Sequence, residues 1–237
     1  IDTRLDVIDS SEDQAELRRV SLPNHDVTTR HIDVTSYAEI VLATAASDAA
    51  HPAFSNLFIE TERVARRHTL LATRRRGAPE EREIWLAHVI AMDGDVLGES
   101  EWETRRDQFV GRGRSVHAPR AASKGYRLSN TGGAVLDPIV SLRRRMRVSP
   151  GETARITFST LVAPSREAVL AVADKYRAAS AFESEVVVRR QSLLQSHHDR
   201  FEAGELPLFE TLAGHILYPD KALRVGDVVA RQTAGVD

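Results

Sequence analysis

Residues 30–43 read RHIDVTSYAEIVLA, and the alternation in this stretch decides the fold. Ile32, Val34, Ser36, Ala38, Ile40 and Leu42 fall on one face of an extended chain, with Asp33, Thr35, Tyr37 and Glu39 on the other. A period of two sustained over this length predicts one long, half-buried strand. Immediately upstream, 16–22 (ELRRVSL) has the same character and ends in the turn sequence Pro23-Asn24-His25-Asp26, so the two segments are expected to pair as a hairpin.

Further strands are predicted over 5–8, 56–62, 68–74, 84–92, 135–141, 143–148 and 154–163, the last with Ile156, Phe158, Thr160 and Val162 alternating with polar positions. Asp93-Gly94-Asp95 and Ser149-Pro150-Gly151-Glu152 supply turn chemistry between them. Many strands at short spacing with no intervening helix predict a mainly β protein built as a large antiparallel sandwich, not a βαβ fold. After Ala163 the period changes. Ser165 precedes REAVLAVADKY as a helix N-cap, and helical spacing returns over 181–201 and 207–217. The expected division is therefore a sandwich over 1–163 and a helical segment over 164–237.

Composition sets the outer bounds. Of 237 residues, 42% are hydrophobic and 28% charged, an ordinary globular balance with enough apolar side chains for a core. The net charge of −2 gives no reason to expect nucleic acid as a partner. The 29 arginines outnumber 3 lysines, a skew that fits a high-GC bacterial source. With no cysteine, thiolate metal sites, disulfides and a cysteine nucleophile are excluded. No apolar run is long enough to span a membrane, and the opening Ile1-Asp2-Thr3-Arg4 has the look of sequence from the middle of a longer protein.

Chemistry-bearing residues are sparse. The stretch 109–133 (FVGRGRSVHAPRAASKGYRLSNTGG) follows neither period and is expected to be a long excursion between strands. Within it, Gly111 and Gly113 alternate with Arg112 and Arg114 just after Phe109, an arrangement that could offer guanidiniums and amides to a phosphate or to sugar hydroxyls. It matches no nucleotide-binding glycine pattern. Trp102 and Trp85 could stack on sugar rings, with at least one expected in the core. Phe109, Arg112, Arg114 and Trp102 form the candidate substrate-binding set.

Other groupings read more simply as structure. Same-strand carboxylates (Glu60 with Glu62; Glu99, Glu101 and Glu103) resemble a glycosidase acid and base only in composition, and are expected to be a polar face. His197-His198-Asp199 lacks metal-ligand spacing on a helix. Asp48, His51 and Ser55 lack the frame of a nucleophilic triad. Arg143, Arg144, Arg145 and Arg147 alternate on a strand, so only half can act together. No catalytic residue, metal site or cofactor is assigned.

Longer signatures carry a resemblance. The stretches 35–42 (TSYAEIVL), 51–62 (HPAFSNLFIETE), 109–114 (FVGRGR), 133–139 (GAVLDPI), 141–144 (SLRR), 174–177 (DKYR) and 215–220 (HILYPD) resemble the cyclic β-1,2-glucan synthases, in their region related to glycoside hydrolase family 94. The resemblance implies a galactose mutarotase-like supersandwich, then linker helices leading to an α/α toroid that carries the general acid. The chain stops about where that toroid is expected, so no catalytic residue is carried over. The resemblance further implies inverting, metal-free chemistry on β-1,2-glucan or glucose 1-phosphate and phosphate in the intact enzyme. It implies a position on the cytoplasmic face of the inner membrane, with the toroid of the same polypeptide as partner; an accessory sandwich of this kind could also contact a second subunit as a homodimer. An independent carbohydrate-binding module is the alternative, disfavoured by an aromatic content of 5%.

Overall fold

Alternating apolar residues give the chain two antiparallel sheets laid face to face, seen in a computed structural model that describes residues 2–77, 81–197 and 205–217. The strands are β1 (Arg4–Asp9), β2 (Ala15–Pro23), β3 (Arg30–Thr35), β4 (Ala38–Glu39), β5 (Ile59–Val64), β6 (Thr69–Arg74), β7 (Trp85–Asp93), β8 (Asp95–Arg105), β9 (Gly133–Ala134), β10 (Pro138–Val148) and β11 (Thr153–Ala163). The helices are α1 (Ala45–Ala50), α2 (Pro52–Asn56), α3 (Arg106–Val110), α4 (Arg166–Lys175), α5 (Ala181–His197) and α6 (Leu206–Leu217). The larger sheet has seven strands in the order β1-β2-β11-β7-β6-β5-β9. In the smaller, β10 is central: β3 and β4 pair along one edge and β8 along the other.

Between the sheets lies a core of Ile59, Leu70, Ala72, Leu86, Ile90, Val140, Leu142, Ile156 and Phe158. The outer face of the large sheet is covered by helix, where Leu17, Leu71, Ala87, Val89 and Leu161 meet Val169, Ala173, Tyr176 and Phe182. Ser165 caps α4, accepting from Ala168 N at 3.1 Å, as its sequence predicts. The first compact unit accordingly extends beyond Ala163, over Ile1–Arg189. Of the second unit, Arg190–Asp237, the described residues carry the end of α5 and all of α6, where Leu208 and Leu212 are exposed.

The expected β2–β3 hairpin does not form. The two strands belong to different sheets, and the turn after Pro23 is a corner between layers. Buried Asn24 fixes it, donating from Nδ2 to the carbonyls of Thr28 and Val148 at 2.9 Å each, while Gly151 N donates to its backbone oxygen. The turns at Gly94 and at 149–152 are corners too, joining β7 to β8 and β10 to β11 across the sandwich. Gly94 is at φ +126°, and a Cβ there would lie 3.2 Å from that of Ala154.

The single strand expected over 30–43 is interrupted at Ser36. Leu142 N donates to Ser36 Oγ at 2.9 Å, while the Ser36 carbonyl accepts from Ser141 Oγ at 2.7 Å, so a side chain replaces one rung of the ladder. The register is the same on both sides, with Thr35 opposite Arg143 and Ala38 opposite Val140. Leu42, at φ +46°, and the cap residue Thr44 then turn the chain into α1, and α2 occupies the start of the strand expected from Asn56, which begins at Ile59 instead. The predicted strands 135–141 and 143–148 are one continuous strand, β10.

Candidate functional site

The excursion that follows β8 packs over the outer face of the small sheet. Its first turn is α3, which buries Phe109 and Val110 against Ala121, Leu128 and Ile139, with Tyr37 and Tyr126 at the margin. Phe109 lies against the Tyr37 ring, centroids 4.7 Å apart. Gly111 then leaves the helix at φ +83°; a Cβ on it would sit 2.8 Å from Arg120 Cβ, a clash only glycine avoids. Gly113 is also left-handed, at φ +70°. The loop therefore projects Arg112 and Arg114 into solvent, with Arg114 Nη1 donating to Ser123 Oγ at 3.1 Å.

Buried Arg143 and Glu103, with partly buried Glu101, hold the excursion to the sheet. Arg143 donates to Thr35 Oγ1 at 2.8 Å, to the Tyr126 carbonyl at 2.7 Å and to the Ala121 carbonyl. Glu101 accepts from Leu128 N and Arg127 Nε, each at 3.0 Å. Glu103, wholly buried, accepts from the backbone amides of Thr104, Arg105 and Ser129 and from Ser129 Oγ. The carboxylates whose spacing suggested an acid and base are thus acceptors for a loop. Glu60 and Glu62 pair with Arg75 and Arg166 in the same structural way.

Where α3 begins, Arg106 Nε donates to Glu39 Oε1 at 2.8 Å and to Tyr37 Oη at 3.2 Å, and Tyr37 donates to Glu39 at 2.5 Å. Burial and the Glu39 carboxylate push the Tyr37 phenol up to about 12, while its bonds from Tyr37 and Arg106 hold Glu39 below its ordinary value. Burial raises the neighbouring Asp137, 3.6 Å from Arg106. The cluster ties the loop's entry to β4 through the Arg106–Glu39 ion pair.

Of the four candidate residues, the fold brings Phe109, Arg112 and Arg114 to one loop and sends Trp102 elsewhere. Phe109 is a core residue, 5% exposed, and its ring anchors the loop from beneath. Trp102 faces the opposite side of the small sheet, packed against the inter-sheet core under the Arg63 guanidinium, 5.0 Å from its ring centre. Sequence reasoning missed β8 as an element, and with it the inward turn of Ser100 and Trp102. The signal was present in the alternation of Glu99, Glu101 and Glu103. Of the His197-His198-Asp199 group, His198 and Asp199 lie outside the described residues.

Two antiparallel sheets laid face to face are consistent with a supersandwich, and residues 1–179 match the glycosyl hydrolase 94 supersandwich domain. The chain belongs to that family. It is also 36% identical over 223 residues to the cyclic beta-(1,2)-glucan synthase NdvB of Rhizobium meliloti, a match that takes in 94% of this chain and 8% of that relative. The chain thus corresponds to a small part of a much longer polypeptide. Among the described residues, no helix is long and apolar enough to cross a membrane.

Proposed function

We propose that this chain is the non-catalytic supersandwich segment of a larger glucan synthase or glycoside phosphorylase, and that it supports an α/α toroid catalytic domain of the same polypeptide in β-1,2-glucan synthesis or chain-length processing. The observation that carries this reading is the use of Glu101 and Glu103: these carboxylates beneath the exposed loop are consumed in holding it, in bonds that an acid–base cycle would break. Exposed Leu208 and Leu212, one turn apart on α6, favour a further protein surface as partner. In this reading Arg112 and Arg114 stand at the rim of the toroid's site, toward glucan or sugar phosphate. The 164–237 segment links the two domains, and the whole lies on the cytoplasmic face of the inner membrane with a second subunit as a further partner.

The test is isothermal titration of the chain with β-1,2-glucooligosaccharides, running Arg112→Ala and Trp102→Ala beside the wild type. The accessory reading predicts no saturable heat from any of the three folded proteins. Saturable binding that Arg112→Ala or Trp102→Ala abolishes would instead establish an independent carbohydrate-binding module.

A further inference from the structure

Between the sheets, at the end where β8 bulges, the structure gathers hydrogen-bond donors that have no acceptor. The β8–β10 register shifts between Arg143 and Arg145, and Gly98 sits in the bulge at φ +64°. Opposite that bulge Arg144 turns inward, on the core face of β10 between Leu142 and Met146, and is 8% exposed. Its Nη1 donates to Ser100 Oγ at 3.3 Å; its Nε is buried and bonded to nothing. Ser100 Oγ is also 3.2 Å from His68 Nδ1. Because that hydroxyl accepts from Arg144, its own hydrogen is available to His68 Nδ1, which leaves the His68 proton on Nε2 as a further donor. Two residues along β8, the Trp102 Nε1–H is buried and unpaired, and Arg63, lying over the Trp102 ring, has a buried, unpaired Nε.

Every orphaned group here is an N–H. Two of the residues carry guanidinium charge, and among the described residues neither Arg63 nor Arg144 has a carboxylate within ion-pair distance. The nearest acid that acts on Arg144 is exposed Glu99, and burial depresses the proton affinity of both arginines. His68, at φ +49°, is the left-handed residue that ends the 65–67 turn between β5 and β6, with its amide donating to the Ala65 carbonyl. Water would bring no charge and would itself need acceptors. Arg63 is anchored through Nη1, which donates to the carbonyls of Val64 and Thr69 at 3.1 and 3.0 Å, and a negatively charged, acceptor-only group is the partner that the remaining donors suit. Half-buried His68, Arg63 and Trp102 form the side of the cluster that solvent reaches.

We propose that Arg63, His68, Ser100, Trp102 and Arg144 form an oxyanion-binding site, taking a phosphate or carboxylate group. The site is on the inner side of the small sheet, separate from the Arg112–Arg114 loop, and its existence does not depend on the accessory reading above.

Trp102 makes the site visible. Indole emission of the 237-residue chain is followed while inorganic phosphate is titrated against chloride of matched ionic strength. The expected result is a saturable change whose dissociation constant rises at least about tenfold in Arg144→Met and in Arg63→Gln. Parallel titrations with glucose 1-phosphate and glucuronate identify the source of the anion: a response to the first assigns a phosphoryl group, a response to the second a carboxylate. Circular dichroism establishes which variants are folded, and if one is not, the other decides. The proposal is overturned if the folded wild type gives no saturable response to phosphate, glucose 1-phosphate or glucuronate, if neutral glucose gives the same response, or if a folded variant binds as the wild type does.

Discussion

His88 shows how one buried group couples the two sheets. Its Nε2 lies 2.8 Å from Ser36 Oγ in the small sheet and its Nδ1 2.9 Å from Thr160 Oγ1 in the large one, with the ring stacked on Phe158. Burial lowers its pKa to about 4, so the folded protein keeps the imidazole neutral. Above about pH 6.5 the ring is neutral in folded and unfolded chains alike; below it, the unfolded chain takes up a proton that the folded chain refuses. Stability therefore falls as pH drops from about 6.5 toward about 4, by ~3 kcal/mol in all. Urea unfolding at about pH 7.5 and about pH 5.5 is expected to show a loss of ~1 kcal/mol in the wild type, most of it absent in His88→Gln, with His68 supplying the remainder. Gly94→Ala is expected to cost ~1–3 kcal/mol in the same assay, because φ +126° and the Ala154 contact both oppose a Cβ. Gly94 was legible as a turn residue, but His88 did not stand out in the sequence. His88 sits in an apolar run where its partners, Ser36 and Thr160, are distant in the chain, and nothing local signals that three polar residues will meet.

At the scale of elements, alternation and short apolar runs identified most strands, including β6, β7 and β10, which are buried on both faces. They failed on β8. On β8 the inner face carries Ser100 and Trp102 while the outer carries Glu101 and Glu103 beneath the excursion, so the apolar contrast that marks a strand is missing. Pairing partners were illegible for another reason: a turn sequence fixes a change of direction, and at Pro23, Gly94 and 149–152 that change passes from one sheet to the other. At the first of these corners the Asn24 side chain reaches beyond the turn to the Val148 carbonyl of β10. Asn24→Ala is expected to destabilise by ~2–4 kcal/mol in urea unfolding, since buried carbonyls of Thr28 and Val148 lose their donor. The candidate loop was legible as a loop and its arginines as exposed. The burial of Phe109 was not, because its core is made with Ile139 and Tyr37 from other elements. Glu103→Ala takes the acceptor from three backbone amides beneath the excursion, while Ser129 Oγ keeps Thr131 Oγ1. It is expected to raise hydrogen exchange over 109–133 well before the sandwich core opens, as mass spectrometry of protected peptides would record.

For the molecule as a whole, the outer face of the large sheet needs its helices. Val169, Ala173, Tyr176 and Phe182 close a core that strands alone would leave open to water. A chain ending at 189 is expected to unfold cooperatively with nearly the full stability, whereas one ending at 163 exposes Leu17, Leu71, Val89 and Leu161 and is expected to aggregate or unfold. Thermal melts of the two truncations check this. The central claim is that the sandwich supports catalysis without performing it. Its most direct test is incubation of the purified chain with β-1,2-glucooligosaccharides and phosphate, followed by measurement of glucose 1-phosphate and of new reducing ends. The account predicts neither product above the protein-free blank; formation of either in proportion to protein concentration would contradict it.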